Sequence, residues 1–259
     1  MVLAPLVFFV LGAIVASFMG VLSARLHTEQ SFLIGRSRCD ACNALLHPLT
    51  LIPIFSYGML RARASCCGAK ISWYGPLTEI ILGSLFVGAY LKLGIGSPLF
   101  FVLVSLSLLL VLVLYDLAHQ ILPPKLLVLF FLTSLVAGFL QAPTAYLWRE
   151  SVFGAVLIGC ILALIHVLSQ GRAMGFADAP FALSLALLVG PVALAGFVFS
   201  FWIGAVIGIF ILLERPAGSR MGVEVPFAPF LAAGFLLAYF ITQWNPFTIL
   251  AGLSSTQLL

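Results

Sequence analysis

Residues 99–116 read LFFVLVSLSLLLVLVLYD, an unbroken uncharged run from Leu99 to Tyr115 that ends in the single carboxylate of Asp116. Wound as an α-helix at about 1.5 Å per residue, it covers most of a hydrocarbon layer about 30 Å thick. A second stretch has the same character in reverse. Met174-Gly175-Phe176-Ala177-Asp178 leads directly into the apolar run Ala179 to Leu213. Each aspartate stands where an uncharged membrane-length segment meets a polar connector, and an ionisable residue there is costly enough to mark a candidate functional site.

The rest of the chain has the same solvent preference. Of its 259 residues 63% are hydrophobic and 8% charged, with a mean hydropathy of +1.23, which excludes a soluble domain. The runs are continuous rather than alternating, so the expectation is an all-α polytopic membrane protein and not a barrel. A net charge of +4 says little about partners by its size. Nothing in the sequence points to nucleic acid.

Three regions are expected: a first transmembrane helix at 1–24, a polar cysteine-bearing loop at 25–74, and a seven-helix membrane domain at 75–259. Met1 to Ala24 carries no charge and Arg25 follows it, the reverse of a secretory signal, so this helix is read as retained with its N-terminus outside. Further helices are expected at about 76–93, 98–115, 122–140, 149–169, 179–190, 192–213 and 227–248, making about eight in all. The uncharged run Ala179 to Leu213 would be roughly 50 Å long as one straight helix. Gly190-Pro191 supplies a break, because proline cannot continue the hydrogen-bond ladder and glycine permits a turn.

This layout puts Arg25, Arg36, Arg38, Arg61, Arg63, Lys70, Lys125, Arg172, Arg215 and Arg220 on one side and only Lys92 and Arg149 on the other. By the positive-inside rule the first side is cytoplasmic, and Asp116 and Asp178 both fall there. If their helices converge, two carboxylates in apolar surroundings do not both ionise cheaply and share one proton. One then takes a proton from water while the other polarises a peptide carbonyl, which is peptide hydrolysis without a metal. Three other readings stand beside it. Each Asp can be a solvated helix-end residue, the pair can serve a proton- or cation-coupled transporter, or the chain can be an idle scaffold. A transporter would place its ionisable groups near the midplane, often on inverted repeats, and no repeat is visible.

Flanking residues sharpen the choice. Asp116-Leu117-Ala118-His119-Gln120-Ile121-Leu122-Pro123 resembles the first aspartate motif of the type IV prepilin peptidases, and Gly175-Phe176-Ala177-Asp178 resembles their second, GxGD. Further landmarks follow in family order along nearly the whole chain. They are Ser17-Phe18 with Arg25-Leu26, Arg36-Ser37-Arg38-Cys39 with Cys42, Ile52-Pro53 with Ser56-Tyr57, Pro76 with Glu79, and Pro226 to Leu231. The resemblance implies an eight-helix intramembrane aspartyl peptidase of the bacterial inner membrane, with Asp116 and Asp178 as the catalytic pair. It implies removal of the leader from type IV prepilins or pseudopilins at the cytoplasmic face. It further implies methylation of the new N-terminal residue with S-adenosylmethionine, and a peptidase-only relative is the alternative. Proteolysis itself needs no cofactor. Glu79 and Gly175 are implied contacts for substrate or cofactor, although a carboxylate just inside Pro76 at a helix start also suits the helix dipole.

Several positions depart from the family pattern. Ala177 stands where Gly usually precedes the second aspartate, Pro180 where Lys is frequent, Pro124 where Asp or Asn is common, Gly20 in place of Asn, and Thr50 in place of an acid. In the loop, Cys39 and Cys42 form one Cys-x-x-Cys knuckle, while Ala64 occupies the third cysteine position and Cys66 adjoins Cys67. Zinc held by Cys39, Cys42, Cys66 and Cys67 and a set of reduced thiols are both open readings. His119, His166 and Cys160 are read as interfacial or interior packing residues. The sequence carries no signal of oligomeric state.

Overall fold

The computed structural model describes residues 3–26, 39, 41–45, 55–60, 62–172, 174–214 and 225–241. Among them lie α1 (Leu3–Arg25), the short α2 (Phe55–Met59), α3 (Tyr74–Leu93), α4 (Ser97–His119), α5 (Pro124–Gln141), α6 (Ala145–Leu168), α7 (Asp178–Val189), a 3₁₀ turn (Gly190–Val192), α8 (Ala193–Glu214) and α9 (Ala228–Ile241). No strand occurs among the described residues, only an isolated bridge between Arg63 and Lys70. Arg36, Arg38, Thr50, Ile52-Pro53, Arg61, Arg215, Arg220 and the end of the expected last helix with Trp244 lie outside the described residues.

Among the described residues six apolar stretches are long enough to cross a membrane, with α7, the 3₁₀ turn and most of α8 joined as the sixth, Asp178–Ile211. The expected break falls at Gly190, which takes φ +69°, a backbone region open to glycine, and Pro191 follows in the 3₁₀ turn. Taken singly, the 12 residues of α7 rise only about 18 Å, less than the hydrocarbon thickness. α4 corrects one expectation. It runs a turn past the expected end at 115, and Asp116 sits in its last turn, at the helix end where the sequence puts it. The Tyr115 and His119 rings, centroids 4.4 Å apart, lie along that turn. Gln120 at φ +55° then closes the helix by donating its N–H to the Asp116 carbonyl at 2.8 Å.

Two compact units are present. The first comprises Met1–Leu99 with Leu106–Leu114, the second Phe100–Ser105 with Tyr115–Leu259. In the first, α1 and α3 approach backbone to backbone at Gly12 and Gly83. A Cβ on Gly12 would lie 2.8 Å from the Gly83 Cα, a closeness only glycine allows. Phe8 and Tyr90 stack beside the crossing at 4.6 Å.

In the second unit α7 is the central helix. Ten of its twelve residues are buried, which is why it reads as apolar on every face. Phe181 meets Phe130 of α5 at 5.7 Å, Leu183 packs on Gly159 of α6, and the Leu187 carbonyl fills the notch left by Gly138 of α5. At the C-terminal end of α7, Gln141 Nε2 donates to the Leu188 carbonyl at 3.3 Å, and Tyr239 of α9 donates its hydroxyl to Gln141 Oε1 at 2.6 Å. α8 and α9 cross at small residues as well, with Gly234 against Ser200 and Gly196 against Phe235. The Ser200 hydroxyl donates to the Gly196 carbonyl of its own helix and to the Leu231 carbonyl of α9.

Gly138→Ala drives a methyl group into the Leu187 carbonyl and must part α5 from α7. The expected cost is about 1–3 kcal/mol, the range for overpacking. A lowered midpoint of thermal unfolding in detergent checks it, and an unchanged midpoint contradicts the close packing.

Candidate functional site

The second unit carries the two aspartates. Asp116 is 6% exposed and Asp178 9% exposed, so neither is the solvated helix-end residue that the plainest reading allowed. They approach closely enough for their charges to interact. Two buried carboxylates from separate helices thus share one neighbourhood at the polar end of an apolar bundle.

Each is held by a helix terminus. Asp178 is the first residue of α7, where the partial positive charge of the helix N-terminus favours a carboxylate. Its N–H donates to the Gly175 carbonyl at 3.3 Å, and the next two turns of chain close by Ala179 N–H to Phe176 and Phe181 N–H to Ala177. Asp116 Oδ2 accepts the N–H of Ala228, the first residue of α9, at 3.2 Å. That donor is one of the amides every helix leaves unpaired at its start. Phe227 before it has no side chain able to cap, so the carboxylate of a distant helix takes the place of a local cap.

Pro226 to Leu231 entered the sequence comparison only as a landmark, and the role of its backbone was missed. The available signal was a helix start with no Ser, Thr, Asp or Asn ahead of it. Gly175 gains a clearer meaning too. It is not among the positive-φ residues, and a Cβ there would sit 3.7 Å from Asp178 Oδ2. That is an ordinary contact, so the place of Gly175 is one of closeness to the carboxylate, with its carbonyl accepting the Asp178 N–H at 3.3 Å.

Other expected residues fall elsewhere. Glu79 is in the first unit, buried at 8% exposure on α3, and α3 has no acidic residue in its first turn. The helix-dipole explanation for Glu79 therefore does not hold. His119 is exposed with its ring tilted against that of Tyr115, and Cys160 is exposed rather than an interior packing residue.

Four of the five cysteines form a separate cluster in the first unit. Two turns there have one hydrogen-bond pattern. Cys39 N–H donates to the Ala44 carbonyl and Asn43 N–H to the Cys39 carbonyl, while Ala64 N–H donates to Ala69 and Gly68 N–H to Ala64. Asn43 and Gly68 are correspondingly left-handed, at φ +56° and +71°. Ala64 is therefore the backbone counterpart of Cys39, and Cys67 that of Cys42. Cys66, an extra thiol on the second turn, supplies the sulfur that Ala64 lacks. All four Sγ atoms lie within 4.8 Å of one another, with Cys39 to Cys67 at 3.8 Å and Cys42 to Cys66 at 3.3 Å. Sulfurs at about 2.3 Å around a tetrahedral metal are about 3.8 Å apart, so the donor set suits such an ion.

The thiols polarise one another. N–H groups of Cys42 and Ala41 hold the Cys39 thiol down to about 7. Hydrogen bonding to Cys42 pushes Cys66 up to about 12.

A polytopic helical membrane protein with two buried carboxylates gathered at helix ends is the class these features define. Comparison with known proteins narrows it. Residues 10–93 match the Bacterial Peptidase A24 N-terminal domain, and residues 103–213 match the Type IV leader peptidase family. A prepilin leader peptidase/N-methyltransferase of Bacillus subtilis (strain 168) is 33% identical over 90% of this chain and 92% of its own length. Proteins of the same description from Myxococcus xanthus (strain DK1622) and Dichelobacter nodosus are 34% and 32% identical. They match over 82% and 80% of this chain, and over 64% and 71% of their own lengths. No solved structure gives a significant match. The chain belongs to the type IV leader peptidase family.

Proposed function

We propose that this chain is an intramembrane aspartyl endopeptidase that removes the leader peptide of type IV prepilins or pseudopilins at the cytoplasmic face of the bacterial inner membrane. The observation that carries the proposal is the pairing of buried Asp116 and Asp178, each held by a helix terminus in one compact unit. One carboxylate is the base and the other carries the proton, the pair titrating as a unit. A water held between them loses a proton to the base and adds to the scissile carbonyl, while the acid polarises the carbonyl oxygen and the leaving amine collects a proton. The apolar N-terminal helix of the pilin lies in the lipid alongside the bundle, and its leader junction reaches the carboxylates at the membrane edge. The excess of Lys and Arg in connectors on the aspartate side supports a cytoplasmic orientation.

Methylation of the trimmed N-terminus is proposed as a second activity because the relatives are described as N-methyltransferases as well as peptidases. Glu79 is a buried carboxylate of the kind that holds the ribose hydroxyls or the ammonium group of S-adenosylmethionine, which would supply the methyl group when bound. The four thiols are proposed to hold one structural zinc ion, with Cys39 and Cys67 from equivalent knuckles and Cys66 in the role vacated at Ala64.

Four outcomes are expected. Incubation of the purified protein with a prepilin and labelled S-adenosylmethionine should give a trimmed product, with one added methyl group reporting the second activity. Asp116→Asn and Asp178→Asn should each lower trimming by at least about 100-fold without loss of expression, and retained cleavage in both contradicts the assignment. Ala228→Pro removes the N–H that reaches Asp116 at a helix position where proline is tolerated. Losing a hydrogen bond to a charged group should slow cleavage roughly 10- to 100-fold with the fold intact. Finally, Cys66→Ala should lose zinc on metal analysis of the purified chain, and the double variant with Ala64→Cys should regain it, because the added thiol returns to the knuckle position.

A further inference from the structure

α6 is apolar along most of its length, yet it carries His166 in its last turn, where an imidazole gains nothing from lipid. The backbone and the ring of this residue fasten different parts of the connector to α7. Its carbonyl accepts the Gly171 N–H at 2.9 Å while Val167 accepts that of Gln170, the paired bonds of a Schellman end, with Gln170 at φ +54°. Ser169 adds its hydroxyl to the same carbonyl at 3.2 Å.

The chain then returns to the ring. His166 Nδ1 lies 2.9 Å from the Met174 carbonyl, and because a carbonyl only accepts, Nδ1 carries the hydrogen. The Phe176 and His166 rings meet in a T-shaped arrangement at 5.6 Å, and Gly171 takes the left-handed φ of +77° that the turn beside the ring requires. The next link is Gly175, whose carbonyl accepts the N–H of Asp178. We propose that His166 is a positioning residue for the peptidase reaction: its carbonyl and its Nδ1 clamp the α6 to α7 connector at both ends and so set where the Asp178 carboxylate stands. The proposal rests on the reading of Asp178 as catalytic. It assigns a role to a histidine that the sequence alone gives no reason to separate from interior packing.

The physical consequence is specific to one ring nitrogen. Without the Met174 bond the connector stays attached at Ser169–Gly171 but loses its hold near Asp178, so the carboxylate samples positions away from its partner. A displacement of about 1 Å at a reacting group can cost on the order of 100-fold in rate. Substrate binding along the lipid face does not use this bond.

His166→Leu removes the donor, His166→Gln carries an amide near the place of Nε2, and His166→Asn carries one near the place of Nδ1. Prepilin cleavage by the full-length protein in detergent should lose about 10- to 100-fold in kcat with the Leu and Gln variants, KM staying within about twofold. The Asn variant should return to within a few-fold of the wild type. Amide exchange at residues 174–178 should quicken in the Leu and Gln variants and remain slow in the Asn variant. An unchanged kcat in both the Leu and Gln variants, an Asn variant as slow as they are, or a change confined to KM overturns the proposal. The Gln and Asn pair decides the matter if the Leu variant does not fold. A wild-type chain that fails to cut any prepilin defeats the peptidase reading instead, and the exchange pattern still reports whether His166 holds the connector.

Discussion

A carboxylate that accepts the first amide of a distant helix is the interaction on which the second unit turns. The bond from Ala228 N–H to Asp116 Oδ2 joins the last turn of α4 to the start of α9. Both partners would be expensive alone in apolar surroundings, the amide because a buried donor needs an acceptor and the carboxylate because a buried charge needs compensation. Asp178 meets the same difficulty differently, at the N-terminus of α7, where the field of the helix favours negative charge. Each acid is therefore compensated by a helix start, Asp116 by that of α9 and Asp178 by that of α7. The proposed chemistry uses this constraint, since a shared proton requires proximity and proximity requires that each acid be held.

Small residues make that holding possible. Gly138 admits the Leu187 carbonyl, Gly159 receives Leu183, and Gly234 and Gly196 bring α8 against α9. In lipid there is no hydrophobic gain from pairing helices, so close packing and interhelical hydrogen bonds supply the cohesion. Gln141 and Tyr239 fasten the end of α7 opposite to Asp178, so the central helix is tied at both ends. The first unit uses the same device at Gly12 and Gly83, and it carries the thiol cluster on two turns of matching backbone.

The helices were legible because lipid imposes one rule everywhere: the backbone must satisfy itself, so membrane-length uncharged runs become helices. The break at Gly190-Pro191 followed from the same rule, and Gly190 takes the positive φ that the break required. The extension of α4 past Asp116 was not legible, because Leu117, Ala118 and His119 are equally at home in a helix end or a loop, and the contact of the Tyr115 and His119 rings is a property of the folded turn. Glu79 looked like a first-turn acid because Pro76 suggested a helix start, but α3 begins earlier, at Tyr74. The fourth thiol was readable as a possibility in the sequence. That Cys66 and not Ala64 completes the set became a statement only when the two turns could be laid hydrogen bond against hydrogen bond.

The amino-acid order by itself determined a polytopic helical membrane protein, a cysteine-bearing segment, and two aspartates whose flanking residues match one family. These are local properties, written in hydropathy, in punctuation by glycine and proline, and in short motifs. What only the tertiary structure decided is which distant groups meet: Ala228 with Asp116, Tyr239 with Gln141, and Met174 with the His166 ring. The reason is that apolar runs of similar composition are interchangeable as far as lipid is concerned. Their pairing is set by the shapes of glycine notches and by a few buried donors and acceptors whose partners lie tens of residues away.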